Sequence, residues 1–236
     1  MPVLIKKNYY KFLANSFDQI NNENTKILII DLRNNGGGNS YYGAVLLQYL
    51  GVTKFRFLKK YVIKTSKPEK KYFRKTHIKW YMYPLYPFAI FSKIGRILLF
   101  KKNGTLTDVN IKDEVLKIKK KYYKGKVYLL TSNNTYSAAA DFAVAFRGAK
   151  RGLILGDTIG QPYSGFIDRI PVILPNSELK GGVSYKKYEY VGTNETNKNQ
   201  GIEPDVYIEI KTELNEQMIK IILKTIPIFI KEDWQL

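Results

Sequence analysis

Residues 126–146 constrain the fold more than any other stretch of the chain. Lys126-Val-Tyr-Leu-Leu130 is an apolar run of strand length. Ala138-Ala139-Ala140, followed by Phe142, Ala143, Val144, Ala145 and Phe146, is alanine-rich with apolar spacing that favours a helix. A buried strand turning directly into a buried helix is half of a βα layer. Ser137 then sits at the strand-to-helix turn, where a hydroxyl projects from the end of a sheet and the first helical amides point at the same spot. A serine nucleophile needs that geometry: an exposed oxygen beside backbone donors for the developing oxyanion. Ser137, or Thr135 before it, also fits a plain helix N-cap, and the local pattern alone favours the cap.

A second stretch shifts that balance. Ile27-Leu-Ile-Ile-Asp-Leu-Arg33 reads as another buried strand, and Asn34-Asn35-Gly36-Gly37-Gly38-Asn39-Ser40 follows it. Three consecutive glycines let the backbone take positive φ and approach a neighbour closely. Helical spacing resumes over Tyr41–Leu50, with Val45, Leu46 and Tyr49 on one side. The glycine run matches neither the dinucleotide fingerprint nor a P-loop. A tight turn without chemistry is its plainer reading.

Taken together and in order, the two stretches resemble the tricorn and C-terminal-processing serine peptidases. Asp31-Leu-Arg-Asn-Asn-Gly-Gly-Gly38 precedes the TYSAAADFA unit by about a hundred residues; Gly152-Leu-Ile-Leu-Gly-Asp-Thr-Ile-Gly160 and Gly201-Ile-Glu-Pro-Asp205 follow it. The resemblance implies an α/β, ClpP/crotonase-like spiral core of βα units. It implies acyl transfer to Ser137, with a peptide or protein as substrate and no cofactor. An amide from the Gly36-Gly37 turn and that of Ala138 would form the oxyanion hole. The chain departs from these relatives at the base. Ile159 stands where they carry threonine, and Gln161-Pro162 where the processing enzymes carry a lysine. Tricorn-like members take a histidine from an N-terminal portion and a glutamate just before the Gly-Ile-x-Pro-Asp segment. Here no histidine precedes His77, Lys198 holds the glutamate's place, and Glu195 is the nearest acid. The sequence therefore resembles a tricorn-like catalytic core lacking its N-terminal portion. The alternative is a catalytically silent module that holds extended peptides or an anion in the same cleft. Crotonase-type acyl-CoA chemistry ranks third, because the setting of Ser137 argues against it.

Composition removes other classes. With no cysteine and one histidine among 236 residues, thiol catalysis, disulfides and His- or Cys-built metal sites are excluded. The formal net charge of +19 favours weak contact with polyanions or an anionic membrane surface. Lysines occur along the whole chain and no nucleic-acid module is present, so specific nucleic-acid binding is not expected. The apolar run in Met1–Lys7 is too short for a signal peptide. Exported relatives leave the compartment open.

The remaining chain reads as one catalytic domain over 1–236. Tyr9, Phe12, Leu13, Phe17 and Ile20 predict an amphipathic helix over 8–22. Residues 54–63 read as an edge strand because of their lysines, 109–121 as a helix, and 166–174 with 183–191 as a hairpin or paired edge strands. A last strand is expected over 205–210, and a terminal helix over 212–230 disturbed at Pro227. Residues 64–102, with the aromatic stretch Trp80–Phe91, read as an inserted lid or docking segment, with a membrane-interface segment as the lesser reading. His77, in a basic run, reads as a solvated surface residue.

Overall fold

The computed structural model describes residues 3–77, 88, 91, 93–117, 119, 121–209 and 215–229. It divides into two compact units, one comprising 1–57, 113–163 and 200–236, the other 58–112 and 164–199.

The first unit is built on a four-stranded parallel sheet in the order β1-β6-β7-β12, from Ile27–Asp31, Lys126–Thr131, Leu153–Gly156 and Val206–Tyr207. Near-continuous apolar runs form these strands because both faces are covered. Tyr128, Leu130, Leu153, Leu155 and Val206 turn to one face, where Ile222 of the terminal helix α6 (Glu216–Phe229) joins them. Leu129 and Ile154 are equally solvent-free. Each such side chain contributes about 1.5–3 kcal/mol when fully buried. The serine helix α5 (Ala138–Gly148) packs on α2 (Ser40–Tyr49). A Cβ on Gly43 would lie 3.2 Å from the Phe142 ring, and Ser40 Oγ donates to Asp141 Oδ2 at 2.6 Å. The first helix α1 (Val3–Asn22) starts five residues before the expected position. It lies along α2 through a Tyr9–Tyr42 edge contact and a Phe17–Tyr49 stack.

The second unit is an antiparallel sheet in the order β4-β3-β10-β9, from Leu106–Asn110, Leu58–Lys64, Lys180–Tyr190 and Ser164–Ile173. The expected hairpin is β9–β10. Two expectations fail. The 54–63 segment is split into β2 (Lys54–Phe55), paired with β5 (Glu114–Val115), and β3, which is central rather than an edge. Its lysines are tolerated there because Lys60 is paired with Asp108 and Glu189 from the neighbouring strands, at 3.2 and 3.6 Å. The helix expected over 109–121 is absent among the described residues. Val109 instead enters a small core with Ile63 and Ile97, and β4 takes its place in the ladder.

Two helices of this unit, α3 (Lys67–His77) and α4 (Lys93–Phe100), flank the segment read as a lid; its centre lies outside the described residues. The His77 side chain and residue 212, where the last helix is expected to begin, also lie outside the described residues. Pro227 is accommodated within α6. Among the described residues no helix is long and apolar enough to cross a membrane.

Candidate active site

Short parallel strands end at the same level, so their C-terminal loops converge. The loop after β1 and the loop after β6 do so here and are tied together by side chains whose bridging roles the sequence does not reveal. The Leu32 amide continues the ladder to the Leu130 carbonyl. Thr135 is fully buried; its hydroxyl donates to the Leu32 carbonyl at 2.7 Å and accepts from the Ser132 amide at 3.0 Å. Ser132 Oγ donates to the Arg33 carbonyl, and the Tyr136 amide donates to the Asn35 carbonyl at 3.0 Å. Arg33 is locked in turn by a two-pronged pair with Asp31, closing at 2.8 Å. Burial pushes the Asp31 carboxyl up, but the hydrogen bonds from Arg33 outweigh it and hold the pKa below its ordinary value.

These ties bring the glycine turn onto Ser137. Gly37 has φ +103°, and a Cβ there would lie 2.5 Å from Ser137 Cβ, 2.6 Å from the Tyr136 oxygen and 2.8 Å from the Ala138 nitrogen. Only glycine satisfies both the dihedral and the space.

Ser137 occupies the cap position of α5 but does not cap it. Its φ of 54° and ψ of −126° lie far from the extended conformation of an ordinary N-cap, and its hydroxyl makes no capping bond. Such a non-glycine residue costs about 1–3 kcal/mol and persists only where its surroundings over-determine it. The residue is exposed, so the hydroxyl faces solvent. The next amide, that of Ala138, has no acceptor among the described residues. Of the turn's donors, Gly37 gives its amide to Asn35 Oδ1 at 3.0 Å, whereas those of Gly36 and Gly38 have no acceptor among the described residues. The site thus carries a free hydroxyl and unengaged amides within one strained turn.

The two later motifs brace this turn from behind. β8 (Ile159–Pro162) pairs with β11 (Gly201–Ile202), and a Cβ on Gly160 would overlap the Asn133 carbonyl of the serine loop. Gln161, 5% exposed, points its Oε1 at the Ser137 amide, 2.6 Å away. Asp205 joins three elements: its carboxylate accepts from the Ile154 amide at 2.7 Å and pairs with Arg147 of α5 at 3.0 Å. A cavity of about 450 Å³ opens at the same strand ends, lined by Arg33, Ser132, Asp157, Tyr207 and Glu209 among others.

Glu195 belongs to the second unit. It is almost wholly exposed and pairs with Lys198 at 2.7 Å, whose hydrogen bond holds its carboxyl below the usual value. No described side chain hydrogen-bonds to Ser137 Oγ.

The strand–turn–helix thus presents a strained, uncapped serine beside open amides. The family model for peptidase family S41 matches residues 5–208, and the chain belongs to that family. The fold is accordingly ClpP/crotonase-like. Mature CPAF superposes with a TM-score of 0.56 at 17% identity, covering 84% of this chain and 42% of CPAF. Mature CPAF complexed with lactacystin gives 0.56 at 18%, covering 84% and 42%. A putative S41 protease from Bacteroides fragilis gives 0.48 at 14% identity, covering 95% and 50%. The chain spans half or less of the length of these relatives. No curated protein matches it.

Proposed function

We propose that Ser137 is the nucleophile of a serine peptidase site that cleaves peptide or protein substrates through an acyl-enzyme. The observation that carries this reading is the Ser137 backbone, strained to φ 54° while its hydroxyl is spent on no cap. A structural cap would sit relaxed with its oxygen on a helix amide. In the proposed reaction Oγ attacks the scissile carbonyl and gives its proton to a base. The oxyanion is received by the Ala138 amide and by the Gly36–Gly38 turn, where Gly37 would first exchange Asn35 for the substrate oxygen. Each such donor is worth about 3–4 kcal/mol in the transition state.

Purified protein treated with a fluorophosphonate probe tests the assignment. Covalent labelling of the native protein, lost in Ser137→Ala, is the expected result and shows that the proton acceptor is present. A folded protein that fails to label favours the second reading, a silent peptide-binding module. The open hydroxyl of Ser137, with no described base on it, is the feature consistent with that outcome.

A further inference from the structure

We infer that Gln161 is the positioning residue that holds Ser137 in its reactive conformation. This rests on Ser137 being the nucleophile, as proposed above. Once the turn departs from a normal cap, the Ser137 amide must be satisfied from outside the helix. Its acceptor is Gln161 Oε1 at 2.6 Å, short for an N–H···O bond. A carboxamide supplies a strong acceptor without burying a charge, which suits a side chain only 5% exposed.

Gln161 is itself fixed. Ile159, two residues earlier, is fully buried, and Gly160 lies flush on the Asn133 carbonyl. Beyond Pro162, the Tyr163 amide is bonded to the Gln200 carbonyl at 3.0 Å. The bond therefore runs from a rigid strand to the strained residue, not between two loose loops. By engaging the Ser137 amide on one side it fixes the rotation of that peptide, leaving Oγ outward and the following Ala138 amide open. Gln161 touches neither substrate nor the moving proton; it acts through the serine backbone.

Two readouts on Gln161→Leu, Gln161→Asn and Gln161→Glu separate this role from simple packing. The first is hydrogen exchange of the Ser137 amide by NMR, which requires no activity. The amide should exchange slowly in the native protein and in Gln161→Glu, which keeps an acceptor at the same reach. It should exchange at least about tenfold faster in Gln161→Leu and in Gln161→Asn, whose acceptor is one methylene short. The second is the fluorophosphonate labelling rate. It should fall on the order of 100-fold in Gln161→Leu, the usual cost of a reactive group displaced by about 1 Å, and stay within about threefold in Gln161→Glu. A Gln161→Leu protein that keeps both slow exchange and native labelling overturns the inference. If Gln161→Leu does not fold, the Asn and Glu pair decides the matter. Native protein that never labels removes the nucleophile assignment, while the exchange data still report whether Gln161 holds the turn.

Discussion

The loops around Ser137 and the helix–sheet face around Glu69 differ in how they treat buried hydroxyls and carboxylates. At the serine loops Thr135 bridges two loops, Gln161 takes the Ser137 amide and Asp205 accepts from Ile154, and among the described residues there the only buried side-chain atom without a hydrogen bond is the Nε of Arg147, the partner of Asp205. In the second unit Glu69 is 1% exposed and Thr65 fully buried, yet both carboxylate oxygens of Glu69 and the hydroxyls of Thr65 and Thr107 have no hydrogen-bond partner among the described residues. A satisfied network makes one geometry much lower in free energy than its neighbours, which the nucleophile proposed at Ser137 needs. An unsatisfied cluster costs stability and specifies less. The first region is built for precision and the second is not.

The largest expected effect tests the precise side. Gly160→Ala places a methyl on the Asn133 carbonyl, a backbone atom that cannot swing away. The variant should lose roughly 3 kcal/mol or more, the range of an overpacked core site. Its denaturation midpoint should drop, and probe labelling should disappear with it. Unchanged stability would mean that β8 is not pressed on the serine loop.

Thr135→Val comes next. It keeps the shape but removes one donor and one acceptor that bridge the loops after β1 and β6. The loss should be about 2 kcal/mol, as for a buried hydrogen-bonding group left unmatched. Labelling should slow more than urea unfolding predicts, because the Gly37 turn shifts relative to Ser137. A variant as stable and reactive as the native protein would mean that the bridge is incidental.

These residues also mark where sequence reading reached its limit. β1, β6, β7 and the Ser137 turn were legible because a parallel strand covered on both faces is a continuous apolar run, and glycine clusters mark close approach. Strand β4 was not. The charged pattern with Val115, Leu116 and Ile118 suits a helix over 109–121, and only the pairing of β4 with β3, some fifty residues away in the chain, shows that its start is a strand. The central place of β3 was hidden for a related reason, since lysines signal an edge unless acids on adjacent strands neutralise them. At the site, Ser137 and the glycine turn stood out by residue type. Asn35 and Gln161 did not, and Thr135 read only as a helix cap, because a hydrogen-bonded polar side chain looks like any surface residue until its partner is known. The one trace of Gln161 was its position, where the processing enzymes carry a lysine.

The smallest effect concerns Glu69, and there the sign depends on pH. Ser66 and Glu69 stand at the spacing of a capping box, but only half is made: the Glu69 amide donates to Ser66 Oγ at 3.2 Å, while the carboxylate finds no hydrogen-bond partner among the described residues. Burial raises its pKa above the ordinary carboxylate value, against a smaller downward pull from the Ser66 bond and from Lys70 and Lys186. A carboxyl whose folded pKa exceeds its unfolded one favours folding in the protonated form. Its contribution is therefore fully present below the unfolded pKa and is lost as pH rises through the folded value. Glu69→Gln removes the titration while keeping the shape. It should unfold at a higher temperature than the native protein at pH 7–8, by an amount worth about 1 kcal/mol, and the two curves should converge below about pH 4. A variant less stable than native at pH 7 would mean that the carboxylate is charged and paired in solution, and the contrast between the two regions would collapse. A gap independent of pH would assign the effect to packing. Convergence on acidification alone shows that the second unit carries an uncompensated carboxyl of the kind the serine loops avoid.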